Sequence, residues 1–299
     1  MVGEIRRTIG VMRFVVIAHR CTDTNEALAS AAETLGVTAA VLPPRDALRI
    51  LEPGDVGLGR LDVREALDGI EGGSGELEHL AAAGVEVLNR PAALVAAHDK
   101  LLTARALRLA GLPHPHTWLI AEGMPTPAPE LPLVLKPRFG SWGRDVVLCR
   151  TASDLDAALE QASLHGWFRE HGALAQELVP PLGWDLRVVV AGGRVVGAAR
   201  RVAAPGEWRT NVSLGGRSEP VSPPPLARTL ALAAAASIRG DLVGVDLLPT
   251  RNGFVISELN GAVDFRPYYA LDDEDVYAGA VLELLRVARD RRALELVGA

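Results

Sequence analysis

A chain of 299 residues with 48% hydrophobic and 23% charged content can bury a sizeable core, and nothing in that composition marks a disordered or fibrous protein. Its net charge of −6 excludes a general nucleic-acid surface, so any anion site must be local. Cys21 and Cys149 are the only cysteines and sit in no CxxC or Cys/His cluster, which leaves no disulfide framework or zinc site to argue for; no apolar run is long enough to span a membrane.

Taken in chain order, Met12 can serve as a start, which would make residues 1–11 a poorly ordered extension. The run "FVVIAH" passes directly into polar "RCTDTNE" and reads as a first core strand rather than a signal peptide. A reducing cytoplasm is the expected compartment. "VTAAVL" is a second strand, and between the two lies a helix "TNEALASAAETLG" that Thr24 can cap and Gly36 can end. A helix near "GELEHLAAAG" and a strand "VEVLN" close this first block, over residues 1–90, as an α/β layer with a mostly parallel sheet.

Pro91 suits a helix's first turn, and Asp99 can cap a following helix "KLLTARALRLAG" that stops at Gly111. Pro-rich "MPTPAPELP" then reads as a short linker between the strands "HTWLI" and "LVLKP". "DVVLCR", the helix "ASDLDAALEQAS" and the strand "ALAQELV" complete an α+β unit over 91–182. A third block, 183–299, opens with two strands turned at Gly192 and Gly193. It continues through a long Gly/Pro/Arg-rich loop, an Ala-rich helix, a hairpin and a C-terminal helix with Asp at its start and Arg at its end, as the helix dipole favours. There is no internal repeat.

Two residues stand out against the composition. Of 31 Lys and Arg residues only Lys100 and Lys136 are lysines. A compact ammonium on a flexible stem suits contact with one phosphate oxygen, whereas guanidinium is a planar fork. Lys136 lies on a core strand and runs into "RFGSWGRD", where Gly140 and Gly143 allow backbone N–H groups to approach a phosphate. The loop is no P-loop, since it lacks GK[ST] and a strand follows it.

The hairpin "GVDLLPTRNGFVISELNG" carries the most geometric commitment. If Arg251-Asn252-Gly253 form a three-residue loop, Asp246 faces Glu258 and Asn260 shares that face, while Val245, Leu247, Ser257 and Leu259 point the other way. Two opposed carboxylates repel unless a cation sits between them, and hard oxygen ligands suit Mg²⁺.

These features together resemble the ATP-grasp superfamily, specifically carboxylate-amine ligases of the RimK and LysX type. The likeness runs from "LNRPAALVAAHDK" to "ELNGAVDF". It implies an α/β and α+β protein in which a Rossmann-like N-terminal domain precedes two α+β subdomains that enclose ATP. The resemblance implies that Lys100 and Lys136 contact phosphates beneath the loop Gly140, Ser141, Trp142 and Gly143. Glu177 and Leu178 would present backbone groups to the adenine, and Asp185 would hold the ribose. Arg209 would meet the phosphates or an acyl phosphate with Asn211 nearby, and Arg187 is counted with them as catalytic. Asp246, Glu258 and Asn260 would hold Mg²⁺, with Mn²⁺ as a substitute.

The implied chemistry is attack of a substrate carboxylate on the γ-phosphate, then displacement of phosphate by an amine, catalysed by positioning and charge neutralisation. No Ser/His/Asp arrangement is needed, and His114 and His116 read as loop residues. Arg187, Arg200, Arg201, Arg217 and Arg266 fall in segments that would surround the acceptor, which favours an acidic one. The donor would be a small amino acid or amine, and the acceptor a small acid or the acidic tail of a carrier protein. Neither nucleic acid nor membrane is a partner, and a homo-oligomer is compatible with the sequence. Leu214 precedes Gly215-Gly216 where many related ligases have a basic residue, and "NGAVDFRPYY" looks nearer the LysX type. Two other readings use the same residues: a phosphotransferase with no amine step, and a nucleotide-binding regulator without turnover.

Overall fold

The computed structural model describes residues 12–123, 130–271 and 274–298. The expected extension over 1–11 and most of the Pro-rich linker lie outside the described residues, as do Asp272 and Asp273.

The first layer is a parallel sheet in the order β2-β1-β3-β4, formed by β1 (Arg13–Ile17), β2 (Thr38–Leu42), β3 (Val56–Gly59) and β4 (Glu86–Leu88). Its helices are α1 (Asp23–Thr34), α2 (Pro44–Ile50) and α3 (Ser74–Ala82). The cap of α1 is Thr22, whose hydroxyl accepts from the Asn25 N–H, not Thr24. Thr24 is buried and bonds instead to the backbone of Phe265. Strand β3 escapes a reading by pattern because its sequence is Val-Gly-Leu-Gly. A Cβ at Gly59 would lie 2.7 Å from the carbonyl oxygen of Asn89, so close backbone approach sets the residue and hides the strand.

Helices α4 (Pro91–His98) and α5 (Lys100–Leu109) lead to an antiparallel sheet in the order β5-β8-β6-β7. Its strands are β5 (Thr117–Ile120), β6 (Leu133–Pro137), β7 (Val147–Cys149) and β8 (Ala173–Glu177), with α6 (Ala152–Ser163) and α7 (Gly166–His171) before β8. As expected, Pro91 occupies the first turn of α4, and Asp99 caps α5 by accepting from Leu101 and Leu102.

The third sheet runs β11-β10-β9-β12-β13, from β9 (Trp184–Ala191), β10 (Arg194–Val202), β11 (Arg217–Pro220), β12 (Leu242–Thr250) and β13 (Gly253–Asn260). Strand β11 lies in what reads as loop; it pairs antiparallel with Ala199–Val202 of β10. One face of the sheet, with Leu186, Val188, Val245, Leu247, Ile256 and Leu259, packs on α8 (Pro225–Ser237). At one end of the other face, Val189 and Ala191 join a core shared with β1, α1 and the C-terminal helix α9 (Val276–Gly298). Asn89 fastens the first and third layers: its side-chain amide accepts from Asp241 and Leu242 and donates to the carbonyls of Leu242 and Gly261. No helix among the described residues is long and apolar enough to cross a membrane.

Candidate active site

A cleft opens between the second and third sheets. Lys136 on β6, Lys100 on α5, and Asp246 and Glu258 on β12 and β13 line it together with the turn from Gly140 to Gly143. Glu177, Leu178 and Asp185 line its far side, and Arg209 and Asn211 reach in from the loop after β10. Of the residues expected to hold nucleotide, metal or reacting groups, Arg187 and Asn260 do not line this cleft, and of the arginines expected around the acceptor only Arg201 does.

The pairing expected of the hairpin arises by an unexpected route. Asp246 stands opposite Glu258, Val245 opposite Leu259 and Gly244 opposite Asn260. Yet Thr250 pairs with Gly253, so the turn holds two residues, Arg251 and Asn252, rather than three. A bulge beyond Asp246 restores the register, with Leu247 opposite Ile256. The extra residue is Ser257, which lines the cleft instead of pointing into the core. Ile256 takes the core position, fully buried beside α8.

Charges alternate across this face of the third sheet. Arg201 on β10 faces Asp185 on β9, Arg187 on β9 faces Asp246 on β12, and Asp246 faces Glu258 on β13. Arg187 grips Asp246 through two hydrogen bonds of 2.8 Å, and Arg201 donates to both Asp185 and Asp246. Burial works against ionising Asp246, but the two guanidiniums outweigh it and hold the carboxyl well below the usual range. Thr210 also donates to Asp185, so a ribose hydroxyl would share oxygens already in use. The five arginines expected around the acceptor all have partners: Arg187 and Arg201 as described, Arg200 over the Trp184 ring, Arg217 on Glu219 and Arg266 on Asp23.

Glu258 pairs with Lys100 at 3.2 Å, and Lys100 also donates to the Gly140 carbonyl at 2.7 Å. Burial disfavours the Glu258 anion, yet Lys100 and other nearby cations keep its carboxyl below the ordinary value. Asp99 adds a second grip on the glycine loop by accepting from two guanidinium nitrogens of Arg138, Nε and Nη2, at 2.8 and 2.6 Å. Thus the first turn of α5 sets the start of the loop. Lys136 is 6% exposed, and burial pushes its ammonium down to about 8, with Lys100 acting in the same sense and Glu258 against it. A buried cation held this way suits an incoming anion.

The carboxylates suit a hard divalent cation. Asp246 and Glu258 stand side by side; Arg187 and Arg201 engage both oxygens of Asp246, and Glu258 has one oxygen outside its lysine pair. These carboxylates would hold such a cation, which would offset the charge of bound phosphates. Residues 203–216 cover the cleft. Arg209 donates to the carbonyl of Gly143 at 3.1 Å, Ser213 donates to that of Trp142 at 3.1 Å, and at Gly143, with φ +71, an added Cβ would lie 2.9 Å from the Asn211 side-chain oxygen.

Residues that the sequence did not single out include Gln176, which lines the cleft beside Lys136, and Trp208 and Thr210. Gln176 is the first residue of the quoted "QEL" and stands one residue before the end of β8.

Comparison with known proteins places this architecture. Residues 97–271 match the family model described as a RimK-like ATP-grasp domain. The glutamate–LysW ligase ArgX of Sulfurisphaera tokodaii is 31% identical over 63% of this chain and 69% of its own length. A probable alpha-L-glutamate ligase of Aeromonas salmonicida is 32% identical over 69% of each. Among solved structures, a RimK-domain ATP-grasp protein of Sphaerobacter thermophilus superposes with a TM-score of 0.64 at 22% identity, covering 91% of this chain and 99% of that one. D-alanine–D-alanine ligase of Bacillus anthracis, complexed with ATP, gives 0.68 at 14% identity, covering 96% and 100%. The chain therefore belongs to the RimK-like ATP-grasp family. It is an ATP-grasp ligase of the carboxylate-amine class.

Proposed function

We propose that the protein joins a small amino acid or amine to an acidic acceptor, using Mg-ATP, and that its three functional blocks divide at 1–90, 91–182 and 183–299. The acceptor carboxylate attacks the γ-phosphorus, the bond to the β-phosphate oxygen breaks and ADP leaves. The amine nitrogen then attacks the acyl carbon; the C–N bond forms, phosphate departs and the nitrogen gives up a proton. Lys100 and Lys136 hold phosphate oxygens, and the chain's backbone at Glu177 and Leu178 meets the adenine. Asp246, Glu258 and Asn260 are the residues that would hold Mg²⁺, which when bound offsets phosphate charge. Arg209 and Asn211 close the cleft against water that would hydrolyse the activated acid. The named relatives, one a glutamate–LysW ligase, support glutamate as donor and a carrier-protein tail as acceptor.

The observation that carries this reading is the meeting of both lysines of the chain with the Asp246–Glu258 pair in one cleft. The test is a phosphate-release screen of amino acids against small diacids and acidic peptide tails, with mass spectrometry of the product. Amide formation that needs ATP, acid and amine together supports it. ADP release with an acid alone, with no amide in any pairing, would instead identify a phosphotransferase.

A further inference from the structure

Lys136 and Gln176 lie on adjacent antiparallel strands, β6 and β8, as a diagonal pair on one sheet face. The Lys136 ammonium donates to the Gln176 side-chain oxygen at 2.8 Å, a contact between two residues that are each 6% exposed. An ammonium has no acceptor, so the amide must present its oxygen there and its NH₂ on the other side. That NH₂ meets Thr117 Oγ1 at 2.9 Å and His114 Nε2 at 3.3 Å. His114 Nε2 must then be unprotonated. The assignment agrees with its other nitrogen: Nδ1 lies 2.7 Å from the Ile256 carbonyl, which can only accept, so Nδ1 carries the proton. Each link thus dictates the next, from the β13 backbone beside the Ser257 bulge to the ammonium in the cleft.

We infer that Gln176 is a positioning residue for Lys136, its amide oriented by His114 and Thr117 so that one buried ammonium is held at one point of the cleft and tied to the Asp246–Glu258 hairpin. This rests on the phosphate role proposed for Lys136. The links join both sheets of the cleft, since Gln176 belongs to the second and Ile256 to the third, with His114 between them on the segment that precedes β5. A turn of the Gln176 amide would set its NH₂ against the ammonium, donor to donor. Protonation of His114 would do the same at the other end of the amide, and burial already holds the neutral imidazole by lowering its pKa to about 4. The charged groups facing Lys136 are Lys100 from α5 and Glu258 from β13.

Because the chain has two lysines, selective carbon-13 labelling of lysine gives two side-chain signals, and Lys136→Arg assigns them. Titrating the free protein by NMR reads the Lys136 ammonium directly, without nucleotide or turnover. Gln176→Met removes the one side-chain acceptor that the Lys136 ammonium has among the described residues and should lower the titration midpoint by about one pH unit; Gln176→Glu should raise it by at least as much. His114→Ala frees the amide to turn and should shift the midpoint in the Gln176→Met direction. A structural role alone would not order the three variants in this sense. An unchanged Lys136 midpoint in Gln176→Glu and His114→Ala overturns the inference. Loss of ATP binding in the unsubstituted protein would count against the phosphate role alone, since the titration does not use ATP.

Discussion

Arg187 and Asp246 face each other across β9 and β12 and share two parallel hydrogen bonds of 2.8 Å. Arg187 stands behind the carboxylate rather than in the cleft, so its contribution is to keep a buried anion charged and correctly turned. Removing it leaves Asp246 with Arg201 as its one remaining cation. Arg187→Met should therefore destabilise the fold by roughly 3 kcal/mol, the scale for breaking a buried pair. Urea denaturation at neutral pH checks this. A loss below about 1 kcal/mol would mean that Arg201 alone satisfies Asp246.

Glu258 is the carboxylate with an oxygen to spare. Glu258→Gln keeps shape while removing one charge, so turnover should fall about a hundredfold or more and the Mg²⁺ needed for half-maximal rate should rise. Glu219, on the edge strand and paired with Arg217, should tolerate the same change within twofold. Steady-state rates across a Mg²⁺ series separate the two, and equal effects at both positions would argue against the metal assignment.

Much of this was legible in the sequence, for reasons that differ by residue. The helix starts at Pro91 and Asp99 obey local chemistry and needed no tertiary knowledge. Asp246 and Glu258 were placed opposite each other, yet the turn is one residue shorter than its Arg-Asn-Gly chemistry suggested, and the bulge at Ser257 compensates. Turn length and bulge cannot be separated by pattern, since both add one residue to the same side. Arg200 and Arg201 were indistinguishable for a related cause: adjacent strand residues take opposite faces, and only the register decides that Arg201 is buried. Gln176 and His114 were missed as partners because their link spans 62 residues of chain.

Acid should weaken the fold through two histidines. Burial lowers both His98 and His114 to about 4, while an unfolded chain would bind those protons near 6.5. Between these values the unfolded state holds more protons, so stability is complete above about 6.5 and falls as pH drops toward 4. The loss is on the order of 3 kcal/mol per histidine at the bottom of the window. The double variant His98→Leu, His114→Gln should flatten the pH dependence of unfolding free energy between 4 and 6.5. A slope unchanged by the double variant would assign the acid sensitivity elsewhere.

Lys136 sets the opposite limb. With its folded value near 8 against an ordinary 10.5, the unfolded chain binds the extra proton between them, so stability rises with pH through that window. Below 8 the buried charge is present and costs up to about 3 kcal/mol, offset in part by Gln176. Lys136→Met should then stabilise the free protein at pH 7 by about 1 kcal/mol while abolishing nucleotide binding, and Lys136→Arg should lose most ATP affinity because a fork does not fit the point-charge pocket. Thermal melts with and without Mg-ATP test both: a less stable Lys136→Met, or a Lys136→Arg protein with unaltered ATP affinity, would contradict the argument.

The glycine loop meets residues 203–216 where the Arg209 and Ser213 side chains donate to the carbonyls of Gly143 and Trp142. Gly143 has φ +71, and a Cβ added there would come 2.9 Å from the Asn211 side-chain oxygen and 3.3 Å from Leu214. The left-handed conformation adds about 1 kcal/mol of strain for any other residue. Gly143→Ala should therefore lift the covering segment, which Arg209 and Ser213 now fasten through the carbonyls of Gly143 and Trp142. Water would gain access to the activated acid, so ATP hydrolysis without amide formation should rise relative to coupled turnover, and overall ligation should fall about tenfold. The sheet beneath is untouched, and melting temperature should move by only a few degrees. Limited proteolysis supplies the structural readout: cleavage between 203 and 216 should be faster in Gly143→Ala and should no longer be slowed by Mg-ATP with acceptor. Identical cleavage and identical coupling in the two proteins would mean that these contacts do not govern closure.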